Sequence, residues 1–350
     1  MSPPAVCLLS VLLAVTSPWW HRACLADEAS VDPKCTVENT ITKCVCGGTA
    51  SGSVSQGAAT LSASTNTITV TCSEGSTFVP SNPLKVCARG NNAPSLAECE
   101  PVGKGTDAGT APITDFLSTS PAPTNDIKWA STDNNNVHSL TILPPYFPST
   151  DKSFFVGCRK QSDGQGSCLF NVSVKARKTV LNGNVLTCAY GKESNAPVPQ
   201  VTLDPTSNSL TVDCGEDGTM PLTGELPTVY YCKDSATDAC DPVKDVTEIL
   251  PGFAKEWWTP VNGLETAAKL TVPEGGFPVE PKTIVLGCNL SSASSPSDKG
   301  ESRSDTAATA LPTCRAKVIL SAAASASFSI KVSIGVSASV FAVFAVSMTS

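Results

Sequence analysis

Two short stretches decide the fold: Asn66 to Cys72 reads NTITVTC, Asn208 to Cys214 reads NSLTVDC, and each closing cysteine lies 26 positions after another, Cys46 or Cys188. In the first stretch Ile68, Val70 and Cys72 alternate with Thr67, Thr69 and Thr71, and in the second Leu210, Val212 and Cys214 share one side. A period of two among β-branched residues marks a strand with one buried face and one wet face. Further out, Ser153 to Cys158 (SFFVGC) answers Thr283 to Cys288 (TIVLGC), and each follows an aliphatic strand, Leu140 to Leu143 or Leu270 to Val272. A sequence that repeats together with its cysteines is one domain duplicated. Phe170, Val172 and Val174, then Val201 with Leu203, add strand signals, while Asp245 to Leu250 alone hints at a helical turn. The fold expected is all-β, two tandem disulfide-stabilised antiparallel β-sandwich domains.

The 16 cysteines fit this frame. Cys7 and Cys24 fall in an N-terminal segment read below as a signal peptide, which leaves an even number for an oxidising compartment. Aligning the repeats matches Cys46, Cys72, Cys87, Cys99, Cys158 and Cys168 with Cys188, Cys214, Cys232, Cys240, Cys288 and Cys314, and sets Cys35 and Cys44 aside as an extra local pair. Zinc is disfavoured, because no pair has the spacing of a zinc knuckle and Cys44-Val-Cys46 is too tight to chelate. Each long cross-link would contribute about 3 to 4 kcal/mol by loop entropy, enough to hold modules with modest cores.

The ends describe an exported chain. An apolar run from Ala5 to Val15 precedes small residues up to Ala26, which reads as a signal peptide over residues 1–26. It carries no Lys or Arg before the apolar run, and a short membrane anchor is the rival reading, set against it by the run's length. At the other end, small residues lead into the apolar stretch Val332 to Met348, with almost nothing after it. This is the pattern of a GPI-attachment signal over residues 318–350, with Ser321, Ala322, Ala323, Ala324 and Ser325 as candidate attachment points. A permanent transmembrane helix is its rival. Between the ends lie a first domain (27–176), a linker (177–184) and a second domain (185–317). The first domain would be membrane-distal and the second membrane-proximal, with the protein held on the outer leaflet of the plasma membrane.

Charge is low and negative. From Asp27 to Lys175 there are 10 basic and 13 acidic residues, and from Ala176 to Cys314 there are 10 and 18, a balance that speaks against nucleic acid as a partner. Catalysis lacks parts. After the signal the one histidine is His138, in the polar run Thr132 to Ser139, where an exposed loop residue is expected; no GxSxG is present and the cysteines are committed to bridges. Glu216 and Asp217 form a carboxylate pair with no sign of catalytic placement. No phosphate loop follows Gly164-Gln-Gly166 or Gly275-Gly276, so no cofactor and no enzyme activity are expected. Asn171-Val-Ser173 and Asn289-Leu-Ser291 are N-glycosylation sequences. Trp129 and the pair Trp257-Trp258 recur at equivalent places and are read as packing residues rather than sugar platforms.

FFVGCRK at Phe154 to Lys160, SCLFNVSVKAR at Ser167 to Arg177, CAYG at Cys188 to Gly191, LTVDCGEDG at Leu210 to Gly218, ILPGF at Ile249 to Phe253 and KLTVPEGGFPVEPKTIVLGC at Lys269 to Cys288 together resemble the SRS surface-antigen superfamily of Toxoplasma and related coccidian parasites. The resemblance implies pairing first to sixth, second to fifth and third to fourth: Cys46 with Cys168, Cys72 with Cys158, Cys87 with Cys99, Cys188 with Cys314, Cys214 with Cys288 and Cys232 with Cys240. Cys35 then goes with Cys44, although Cys44 and Cys46 could exchange roles. It also implies a GPI-anchored coat protein, often a homodimer, that attaches to a host-cell glycan or receptor and meets antibodies. In some members paired outer domains form a basic groove for acidic glycans. The cations of this outer domain (Lys85, Arg89, Lys104, Lys128, Lys152, Arg159, Lys160) form no dense run, which puts such a groove in doubt; Lys85, Arg89, Lys128, Arg159 and Lys160 are the candidate ligand contacts. An immune decoy or structural coat with no dedicated ligand is the alternative.

Overall fold

The computed structural model describes residues 33–47, 54–89, 93–100, 109–119, 121, 126–132, 136–160, 166–233, 239–291 and 310–322. The signal segment, Lys104 and the apolar C-terminal stretch, with Ala323, Ala324 and Ser325, lie outside them. No helix among the described residues is long and apolar enough to cross a membrane.

Each module is a sandwich of two sheets with the same strand order. In the first, one sheet runs Lys34–Glu38, Ile41–Val45, Thr67–Thr71, Val137–Thr141, Ala130–Thr132; the other runs Ser55–Leu61, Gly166–Val174, Lys152–Lys160, Lys85–Ala88, Thr110–Pro112, with Ser76–Val79 also paired to Lys152–Lys160. In the second, Val180–Asn182, Val185–Thr187, Ser209–Asp213, Leu264–Thr271 and Trp258–Val261 face Gln200–Leu203, Cys314–Leu320, Lys282–Leu290, Tyr230–Cys232 and Cys240–Pro242. Pairing is mostly antiparallel, with one parallel pair in each sheet, such as Ile41–Val45 beside Thr67–Thr71 and Ser55–Leu61 beside Gly166–Val174. The second module repeats both parallel pairs.

The alternation read from sequence puts Ile68 and Val70 in one core and Leu210 and Val212 in the other, all fully buried, with the intervening threonines half-buried. Two bridges cross each sandwich at one level. Cys158 and Cys168 are register partners on neighbouring strands, and each reaches over to the opposite sheet, to Cys72 and Cys46. Cys288 and Cys314 are partners in the same way and reach Cys214 and Cys188. The sulfurs of Cys46, Cys158 and Cys168 lie within 4.8 Å of one another because these bridges are adjacent, and every one of them is bonded to carbon and sulfur already. Cys35–Cys44, Cys87–Cys99 and Cys232–Cys240 complete the set.

The modules differ outside their cores. In the first, Cys87–Cys99 ties a short helix, Leu96–Cys99, across the outer face of the second sheet, where Leu96 packs with Val79, Phe155 and Leu169. In the second, Cys232–Cys240 pins two strands directly opposite one another. The segment expected as a linker also changes: Val180–Asn182 is already an edge strand of the second module, paired with Val185–Thr187 around Gly183, whose φ of 56° suits glycine. The expected helical turn near Asp245 is the single turn Val246–Glu248, capped by the Asp245 carboxylate accepting from Thr247 N–H.

Candidate functional site

Two ends of the molecule are defined by register. In the second module the bridges near Cys188, Cys214, Cys288 and Cys314 lie at one end of the strands, while Leu320 pairs with Lys282 at the other. There Ser321 N–H donates to Leu203 O, and the described chain leaves the sheet at Ala322. The bridge end faces the first module. Tyr190 N–H donates to Ser149 O at 2.6 Å, Arg177 N–H to Pro148 O at 2.8 Å, and the Ser149 hydroxyl to the Asp217 carboxylate. Asp151 holds both sides, its two oxygens accepting from Ala176 N–H at 2.8 Å and Lys192 N–H at 3.1 Å.

This junction is tight where the backbone passes. A side-chain carbon on Gly191 would come 2.5 Å from Ala176 Cβ, and one on Gly218 would come 1.7 Å from the Tyr190 hydroxyl. That hydroxyl donates to Cys214 O at 2.8 Å. Burial pushes the Tyr190 phenol above its ordinary range, and Asp213 and Asp217 add to the shift. Burial also lowers the pKa of Arg177, a shift opposed by Asp213, Tyr190 and Asp217. Beside them a cleft of about 650 Å³ is walled by both modules, with Lys152 and Arg177 facing Asp213, Glu216, Asp217 and Glu265.

The first module joins this junction by the ends of its strands at Lys152 and Val174, so its own bridge end, with Cys46, Cys72, Cys158 and Cys168, points the opposite way. The modules are stacked head to tail. At that end Asn136 O accepts from Cys72 N–H, and Ser76 lies opposite Lys160.

His138 belongs here, and it corrects the expectation of an exposed loop. It sits on the strand Val137–Thr141 between partners Val70 and Ser131, is 7% exposed, and stacks on Phe78 with ring centres 4.2 Å apart. The Ser131 hydroxyl lies 3.0 Å from its Nδ1. A polar sequence around a strand residue concealed a position that non-local pairing buries. Trp129 packs in the core against Phe78, and Trp258 does so in the other module, with Trp257 half-buried against Phe253.

The candidate ligand cations lie on or beside three strands, Lys85–Ala88, Ala130–Thr132 and Lys152–Lys160. Lys128 is exposed, Lys85 and Lys160 are half-buried at separate places on the second sheet, and Arg89 donates to Asn171 Oδ1 at 2.7 Å. Arg159 is removed from the set. It is 9% exposed, donates to Glu100 O at 2.8 Å and lies 3.8 Å from the Glu100 carboxylate, because the segment carrying Leu96 and Cys99 roofs the sheet above it. Asn171 and Asn289 both lie in strands, half-buried, and Asn289 Oδ1 accepts from Thr313 N–H.

The sequence profile described as SRS domain matches residues 40–175 and 184–320. The bradyzoite-specific antigen BSR4 of Toxoplasma gondii is similar in structure, at 28% identity and a TM-score of 0.60, covering 83% of this chain and 98% of that one. SporoSAG of Toxoplasma gondii covers 76% of this chain and 96% of its own at 15% identity and a TM-score of 0.25. The Plasmodium falciparum protein Pf12p covers 76% and 91% at 12% and 0.23. No curated protein matches the sequence.

Proposed function

The chain belongs to the SRS domain family of surface antigens, and from that premise we propose that it is a GPI-anchored adhesin whose outer module meets host-cell glycans or receptors by weak, multivalent contacts. The observation that carries this reading is the direction of the stack. The chain leaves the second module at Ala322, at the end of the strands opposite the junction, so a lipid attached in the following small residues leaves the bridge end of the first module farthest from the membrane. Hydrogen bonds through Asp151, Ser149 and Tyr190 support a fixed presentation of that end. Many copies on one surface supply avidity without strong single contacts. Pairing of two copies through the outer module belongs to the same proposal.

Phosphatidylinositol-specific phospholipase C should release the protein from expressing cells. Released protein, multimerised on beads, should bind host cells and compete with parasite attachment. Saturable binding to antibody alone would favour the decoy reading.

A further inference from the structure

At the bridge end of the first module a pocket of about 440 Å³ is lined, among the described residues, by Ser76, Thr77, Phe78, Pro80, Ser81, Pro83, Trp129, Ser131, Asn136 and His138. None of these carries a permanent charge. Hydroxyls, one amide and one imidazole surround aromatic and proline faces, and the Trp129 indole N–H is buried without a hydrogen-bond partner. An orphaned buried donor is costly, and an acceptor in the pocket that reaches it would remove that cost.

The second module separates what the fold requires from what this pocket adds. Its Trp258 occupies the same place and its indole N–H is also without a partner, so the tryptophan alone is a feature of the scaffold. The neighbours differ. His138 pairs with Val70 and Ser131, whereas the equivalent Ala268 pairs with Val212 and Pro260. Phe78 lies opposite Cys158, and continuing the register of Gly218 and Thr219 puts Met220 opposite Cys288. The recess around Trp258 is lined instead by Glu225, Lys255 and Glu256 among apolar residues. A sandwich of this kind is built without the stacked Phe78–His138 pair or the Ser131 hydroxyl, so these are additions at the outermost pocket.

We propose that this pocket binds one neutral sugar residue of a glycan. A pyranose presents C–H faces to apolar surfaces and hydroxyls to neutral donors and acceptors; the exposed Pro83 with the small exposed parts of Phe78 and Trp129 offers the first, and Thr77, Ser131 and Asn136 offer the second. Among the described lining residues there is no lysine or arginine to meet a sulfate or carboxylate. The inference rests on the adhesion reading above and names the contact that reading leaves open.

The test is an array of immobilised glucose-, galactose-, mannose- and N-acetylhexosamine-terminated oligosaccharides, with sulfated and sialylated ones alongside, probed with the protein released from expressing cells. The proposal expects binding to a subset of the neutral glycans. In a titration with the best of them, Trp129→Phe and Ser131→Ala should each weaken binding roughly three- to tenfold, the loss of one hydrogen bond, while Trp258→Phe leaves it unchanged. Ser131→Ala keeps the test open if the tryptophan variant does not fold. Binding to host cells with no neutral glycan bound, or neutral binding unaffected by either distal variant, overturns the pocket and leaves adhesion standing. Binding to neither cells nor glycans overturns both.

Discussion

The same end of the two modules meets two different surroundings. Around Cys188, Cys214, Cys288 and Cys314 the first module closes over the strand ends, and the local chemistry is structural: Tyr190 buried with its hydroxyl on Cys214 O, glycines at 191 and 218 where no side chain fits. Around Cys46, Cys72, Cys158 and Cys168, turned away from the junction, His138, Ser131 and Phe78 stand about a pocket where the second module has Ala268, Pro260 and Met220. The frame is shared, and the side chains set on it differ both at the junction and beside the pocket. The binding role proposed for the end away from the junction rests on this difference and not on the frame itself.

The largest effect should show whether the frames are equivalent. Bridges Cys72–Cys158 and Cys214–Cys288 close loops of 86 and 74 residues. Replacing either pair by alanine should cost about 2 to 5 kcal/mol, read by urea unfolding of each variant. A clearly smaller loss for one pair would break the equivalence. Next in size is Gly218→Ala, which forces a carbon against the Tyr190 hydroxyl and should destabilise the second module by about 1 to 3 kcal/mol.

Tyr190→Phe removes the bond to Cys214 O and should cost about 1 kcal/mol. Its pH signature is more telling. The folded phenol titrates above its ordinary value of 10.0, so its contribution is complete below that pH and declines as pH rises beyond it. Unfolding midpoints of the wild type should fall above pH 10.0, and Tyr190→Phe should fall less. Smallest in stability, though visible in shape, is Asp151→Ala. It frees Ala176 N–H and Lys192 N–H, and small-angle scattering should record a broader distribution of end-to-end lengths with little change in unfolding midpoint.

Much of this architecture was legible because strands with one wet face advertise themselves: Ile68, Val70, Leu210 and Val212 sit where alternation puts them. Parallel pairings such as Ile41–Val45 with Thr67–Thr71 left no local trace, since they are set by contacts far apart in the chain. The edge strand Val180–Asn182 had a signal, the Gly183-Asn184 turn between Leu181 and Leu186, that was absorbed into the linker. At the outer end the burial of His138 was hidden by its polar neighbours, and the enclosure of Arg159 by a roof that only the fold supplies. Asp151 carried no pattern, and Tyr190 lay in the CAYG of Cys188 to Gly191 with no sign of what it packs against, because a junction between modules is made by single residues from distant segments.

The measurement that reaches the central claim most directly is adhesion of the released, multimerised protein to host cells in the presence of monovalent antibody fragments raised against each module. A fragment bound at the outer end, over Asn136 and Ser81, should abolish adhesion, and one bound on the exposed strand Leu222–Thr223 of the second module should leave it intact. Adhesion that survives the first fragment and is lost with the second would contradict the account.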